Sequence, residues 1–154
     1  MFTDETKDAV RELVRGMGAT HYVTFNPLIP GLRIDQPYEL GLTLAKRLKD
    51  RADLNDKAMV LFVEQCSQGF FHYHGFIACE TEEQRLFVTN LAKEIMEEAM
   101  RNQAVRKYAR HQGARPPRCS ADIKPLEGRD IEAALLYVTK EWNIQDKAGT
   151  FIYM

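Results

Sequence analysis

The sequence has few cysteines and no long apolar segment, and these absences exclude several classes of protein. Its three cysteines are widely spaced without a CxxC pair, so neither a disulfide framework nor a thiolate zinc site is expected. No apolar run approaches the roughly 18 to 20 residues of a membrane span, and no secretory signal is recognisable at the N-terminus. A GxxxxGK phosphate-binding loop is also absent. We therefore expect an intracellular protein that does not hydrolyse nucleotides.

The composition is that of one globular domain, and its charges are unevenly distributed. The chain has 154 residues, of which 45% are hydrophobic and 28% charged, and we expect a single domain over residues 1–154. The net charge is only -1, but Glu80–Met100 has six acidic and two basic residues, whereas Arg101–Arg129 has eight basic and two acidic residues. The basic segment could meet a polyanion, although a solvated surface with clustered charges gives the same pattern.

Apolar spacing predicts four helices and five strands. The predicted helices cover Asp4–Met17, Pro37–Asp53, a long segment from Glu82 into the basic stretch, and Asp130–Trp142. The predicted strands are His21–Asn26, Ala58–Gln65, Phe70–Cys79, Ser120–Leu126 and Phe151–Met154, the second and third forming a hairpin. This order predicts an α+β domain with a central, mainly antiparallel sheet of about five strands, flanked by helices.

A histidine pair on a predicted strand is the first candidate site. Because strand side chains alternate, His72 and His74 face the same way, with Cα atoms roughly 6.5 to 7 Å apart. Glu64 ends an otherwise apolar strand, where a charge is costly unless it is paired. Two imidazoles and a carboxylate suit a first-row divalent ion. The competing interpretation is that both histidines are structural residues on a half-buried sheet.

The hairpin register decides whether these three side chains can meet. A connection with an odd number of residues places Glu64 directly opposite His72, on the face of the histidines. An even connection of Cys66–Gly69 would place Glu64 opposite Phe71 instead, on the wrong face. We predict the odd register, achieved through a bulge or a longer loop.

The last predicted helix carries a tyrosine outside its apolar stripe. That stripe follows helical spacing and consists of Ile131, Leu135, Val138 and Trp142. Tyr137 lies off the stripe, with Lys140 one turn further on. A phenol with a pKa near 10 is a poor nucleophile at neutral pH, and a neighbouring ammonium favours its phenolate form. A structural role, covering apolar surface, is the alternative for this tyrosine.

Taken together, three segments resemble motifs of the HUH endonucleases, and specifically of single-tyrosine initiators of rolling-circle replication. His21–Pro27 (HYVTFNP) is similar to the first motif, Phe71–Phe76 (FHYHGF) to the histidine-hydrophobe-histidine motif, and Tyr137–Lys140 (YVTK) to the YxxK motif. In conjugative relaxases the tyrosine precedes the histidines, so the order here favours initiators. Glu141 stands where two-tyrosine members carry their second tyrosine.

The resemblance implies a metal-dependent DNA nicking and joining enzyme in the cytoplasm or a host nucleus. Glu64, His72 and His74 would hold Mg²⁺ or Mn²⁺, with Glu141 as a further ligand to consider. Tyr137, assisted by Lys140, would attack a single-stranded replication origin and form a 5′-phosphotyrosine. A helicase would act in trans or belong to a missing C-terminal domain. The DNA contacts implied are Asn26, Arg106, Lys107, Arg110, Arg115 and Arg118.

Three other functions fit parts of the same pattern. A single-tyrosine HUH transposase would use similar chemistry at a similar length. A non-haem iron oxygenase would use the two histidines and the carboxylate, but it gives Lys140 no role. A non-catalytic nucleic-acid-binding module would leave the histidines structural.

Overall fold

A computed structural model describes residues 4–27, 35–65, 71–100, 119–126, 130–140 and 151–154. The helices are α1 (Asp4–Gly16), α2 (Asp35–Arg51), α3 (Glu82–Met100) and α4 (Asp130–Lys140), and the strands are β1 (His21–Asn26), β2 (Met59–Gln65), β3 (Phe71–Ile77), β4 (Ser120–Pro125) and β5 (Phe151–Tyr153). The strands form one sheet in the order β4-β1-β3-β2-β5, in which every neighbouring pair is antiparallel. The α+β class predicted from the sequence is confirmed.

One face of the sheet carries the larger hydrophobic core. Alternate residues of the three central strands, such as Val23, Leu61 and Tyr73, are completely buried there. The helices α2 and α3 cover this face with residues that recur at helical spacing. Their buried members in the core are Leu44, Ala45, Leu48, Val88, Leu91, Ala92, Ile95 and Met96.

The opposite face carries a smaller core beneath α1 and α4. Its buried members are Val10 and Val14 of α1, Leu135 of α4, and Val60, Phe62 and Phe76 of the sheet. A bidentate ion pair joins α1 to α4. The Arg15 guanidinium donates to both carboxylate oxygens of Glu132, at 2.7 and 2.9 Å. The strand residues that alternate with the larger core, including the two histidines, therefore share a face with α1 and α4.

Local signals explain where two of the helices begin or end. Thr81 caps α3 by accepting a hydrogen bond from the Gln84 backbone N–H at 3.0 Å, as its sequence spacing predicts. The Gln84 side chain reaches back one residue further than in the usual capping box and accepts from the Glu80 backbone N–H at 2.7 Å. Beyond the end of α1, Gly18 has a φ of 72°, a left-handed conformation that glycine adopts without steric cost.

Several element boundaries coincide with the predicted ones, and the others differ by one or two residues. The helix α2 begins at Asp35, two residues before the predicted start at Pro37. Two of the three cysteines, Cys79 and Cys119, are buried, and Cys66 lies outside the described residues. None of the helices described is long and apolar enough to cross a membrane.

Gly75, the residue after His74 in β3, is expected not to tolerate a side chain. A Cβ atom there would overlap the Val60 carbonyl oxygen and lie 3.1 Å from the Leu61 Cα, so a backbone would have to move. We expect Gly75→Ala to lower the free energy of unfolding by at least about 3 kcal/mol, measured by urea denaturation. Gly16→Ala is the control, because a Cβ there meets nothing within 4 Å. Equal stability of the two variants would contradict this packing.

Candidate metal site

The β2–β3 hairpin places the two histidines and the glutamate on one face. Glu64 pairs directly with His72, and Phe62 pairs with His74. β2 ends at Gln65 and β3 begins at Phe71. Residues 66–70 therefore connect them, which is an odd number. The register predicted from the sequence is therefore confirmed, with five connecting residues rather than the four of Cys66–Gly69.

The three side chains converge on a single point. The Nε2 atoms of His72 and His74 each lie 3.2 Å from the same carboxylate oxygen, Oε2 of Glu64. The imidazole rings stand almost perpendicular, with centroids 4.2 Å apart and an interplanar angle of 86°. The convergence lies in the nitrogen atoms, which approach the same carboxylate oxygen from two different rings.

The site is partly buried. The exposed fractions of the side chains are 29% for Glu64, 18% for His72 and 11% for His74. Hydrogen bonds from His72 and His74 lower the pKa of Glu64 to about 2, and they outweigh the opposing effect of burial. Glu64 is thus a carboxylate at neutral pH, the form in which it can bind a cation.

The donor set fits one metal ion. One ligand atom from each of Glu64, His72 and His74 lies within 4.8 Å of the others. Neighbouring ligands of an octahedral ion bound at about 2.1 Å are about 3.0 Å apart, close to the 3.2 Å observed between each Nε2 and Oε2. Each histidine nitrogen is therefore about as far from the carboxylate oxygen as two ligands of one ion would be. The residues could therefore hold a divalent metal ion.

Strand β1 contributes two hydroxyl groups that the sequence analysis did not select. The Tyr22 hydroxyl lies 2.9 Å from Nδ1 of His74, and the Thr24 hydroxyl lies 3.5 Å from the same atom. Thr24 is directly opposite His74 in the sheet. The signal was present in the sequence, because Tyr22 and Thr24 occupy alternate positions of HYVTFN and so share a face. The sequence did not show that β1 pairs with β3, and this pairing brings the two hydroxyl groups to His74.

The other predicted site residues fall into two groups. Tyr137 and Lys140 belong to α4, which covers the same sheet face as the histidines, and only their place in that helix is described. Asn26 ends β1 two residues after Thr24, so it also belongs to this face. The predicted residues that lie outside the described part of the chain are Arg106, Lys107, Arg110, Arg115, Arg118 and Glu141.

Comparisons of the chain with protein-family models, curated proteins and solved structures give no match.

Replacing Glu64 is expected to weaken metal binding without unfolding the protein. Glu64→Gln keeps the shape of the side chain but removes the only negative charge in the triad, so we expect Mn²⁺ affinity to fall at least about 10-fold in calorimetric titration. Glu98→Gln, at an exposed glutamate that pairs with Arg47 on α2, is the matched control. Wild-type affinity in Glu64→Gln would show that the ion binds elsewhere.

Proposed function

We propose that this protein is a metal-dependent endonuclease that nicks and rejoins single-stranded DNA through a covalent phosphotyrosine. The convergence of Glu64, His72 and His74 on one point is the observation that carries the proposal. The chemistry needs a cation beside a nucleophile, and a triad of two imidazoles and a carboxylate can provide the place for that cation. Resemblance of the YVTK segment to the YxxK motif supplies the nucleophile, Tyr137.

The position of α4 supports this pairing of metal site and tyrosine. The helix follows β4, whose last residue, Pro125, is opposite His21 at the far end of β1. Leu135 of α4 then packs in the smaller core with Phe62, and Phe62 is the residue opposite His74. Tyr137 belongs to the same helix, whose apolar residues pack on the sheet face of the triad. The helix that carries the YVTK segment therefore covers the sheet face on which the triad lies.

The proposed reaction is a transesterification. The Tyr137 oxygen attacks the scissile phosphorus, a new phosphorus–oxygen bond forms to the tyrosine, and the bond to the 3′-oxygen breaks. The phenol loses its proton and the departing 3′-oxygen gains one, so the products are a 5′-phosphotyrosine and a free 3′-hydroxyl. Lys140 favours the phenolate or holds the phosphate. Because the ester bond energy is retained, attack by a 3′-hydroxyl reverses the reaction and joins strands.

Mg²⁺ or Mn²⁺ is the proposed ion at Glu64, His72 and His74. When bound there, it would polarise the phosphodiester and neutralise the charge that develops on it. The substrate is expected to be single-stranded, or exposed in a hairpin, as the resemblance to the HUH initiators implies. An origin of rolling-circle replication is the proposed source of that strand, with a helicase supplied separately or by a further domain.

Removing the phenol oxygen is expected to abolish strand cleavage and spare binding. We propose incubating the protein with Mn²⁺ and a pool of single-stranded oligonucleotides, and detecting an adduct that survives SDS electrophoresis. Tyr137→Phe should form no adduct and should retain the wild-type affinity for the same oligonucleotides. EDTA should also prevent adduct formation by the wild-type protein.

Tyr38→Phe is the matched control for this experiment. Tyr38 lies on α2, packed against the larger core on the other face of the sheet, so its hydroxyl should not affect the adduct. An adduct formed by Tyr137→Phe would show that another residue is the nucleophile. An adduct formed equally well by the wild-type protein in EDTA would remove the triad from the reaction.

An iron-dependent oxygenase is the second candidate, because two histidines and a carboxylate are also the ligands of non-haem iron enzymes. Oxygen consumption with Fe²⁺ distinguishes the two functions. The endonuclease predicts no oxygen uptake coupled to Fe²⁺ and a requirement for Tyr137. The oxygenase predicts uptake that persists in Tyr137→Phe.

A further inference from the structure

The aromatic ring of Tyr22 stacks on the imidazole of His74, and its hydroxyl lies beside Nδ1. The two rings are stacked, with centroids 5.9 Å apart and an interplanar angle of 26°. Tyr22 also meets Phe76 edge to face, with centroids 5.6 Å apart, and packs against the smaller core. These contacts fix the ring of Tyr22, and its hydroxyl is thereby kept 2.9 Å from Nδ1 of His74.

The two nitrogen atoms of His74 have different neighbours. Nε2 faces the Glu64 carboxylate at 3.2 Å, and Nδ1 faces the Tyr22 hydroxyl. A neutral imidazole carries one proton, so one of these nitrogen atoms donates and the other accepts. A metal ion needs the lone pair of Nε2, which requires the proton to be on Nδ1. A carboxylate alone favours the opposite tautomer, with the proton on Nε2.

A hydroxyl group suits both tautomers because it can donate or accept. With the proton on Nε2, this N–H lies beside the Glu64 carboxylate, 3.2 Å from Oε2, and the Tyr22 hydroxyl donates to Nδ1. With the proton on Nδ1, the imidazole donates to the Tyr22 oxygen and its Nε2 lone pair faces the cation. The number of protons on the imidazole is the same in the two arrangements, so metal binding needs only a tautomer exchange and a rotation of the hydroxyl.

We propose that Tyr22 is a positioning residue that orients His74 and permits its metal-binding tautomer. This inference rests on the metal site of the proposed function but does not depend on DNA cleavage. Thr24 plays a smaller part, since its hydroxyl is 3.5 Å from Nδ1 whereas that of Tyr22 is at 2.9 Å. Tyr22 thus acts on the metal through His74.

The test is Tyr22→Phe, which keeps the ring and removes the hydroxyl. We expect its Mn²⁺ affinity to fall roughly 10- to 100-fold in calorimetric titration, as when other groups that orient a ligating histidine are removed. In the Mg²⁺-saturated wild-type protein, ¹⁵N NMR should show the proton on Nδ1 of His74. Tyr153→Phe is the control, because Tyr153 packs against the same smaller core and should retain wild-type affinity.

The outcomes separate this inference from the proposed endonuclease. Wild-type Mn²⁺ affinity in Tyr22→Phe, or a proton on Nε2 of His74 with metal bound, overturns the positioning role alone. Loss of affinity in Tyr22→Phe without any phosphotyrosine adduct in the wild-type protein supports the positioning role and rejects the endonuclease. If the wild-type protein binds no Mn²⁺, both are rejected. A lowered melting temperature with unchanged affinity identifies Tyr22 as structural only and also overturns the inference.

Discussion

The register of β2 against β3 is the constraint on which the site depends. Because successive side chains of a strand point to opposite faces, a shift of one residue would move Glu64 to the face of the larger core. The observed pairing of Glu64 with His72 instead brings a carboxylate against two imidazoles. The same register buries Leu61 and Val63 with Tyr73 in the larger core, so hydrophobic packing stabilises the alignment that the site needs.

One face of the sheet mainly stabilises the fold, and the other carries the candidate site. The helices α2 and α3 cover one face with most of the buried apolar residues, which provides the hydrophobic stabilisation of the fold. The helices α1 and α4 bury a smaller cluster on the other face, around Phe62 and Phe76, and the metal triad continues that face along β2 and β3. The apolar cluster therefore fixes the strands and α4 beside a site whose ligands remain partly exposed.

The sequence was sufficient to predict features that depend on periodicity or local chemistry. Alternation identified the common face of His72 and His74, and the cost of a charge in the apolar strand β2 identified Glu64 as their partner. The neighbours of His74 across the sheet could not be predicted, because Tyr22 is 52 residues away in the chain and the strand order sets their contact. The roles of Tyr137 and Lys140 stay predictions, since they depend on side-chain positions in α4.

A sheet face is a suitable support for this kind of site because each ligand is oriented by its neighbours on the adjacent strands. Glu64 is fixed by β3, and His74 lies between β2 on one side and β1 on the other. A loop could bring the same three donors together, but at the entropic cost of ordering them when the ion binds. Here the hydrogen bonds of the sheet have already ordered the backbone. A cation that binds there would meet three donors already held on one face of the sheet.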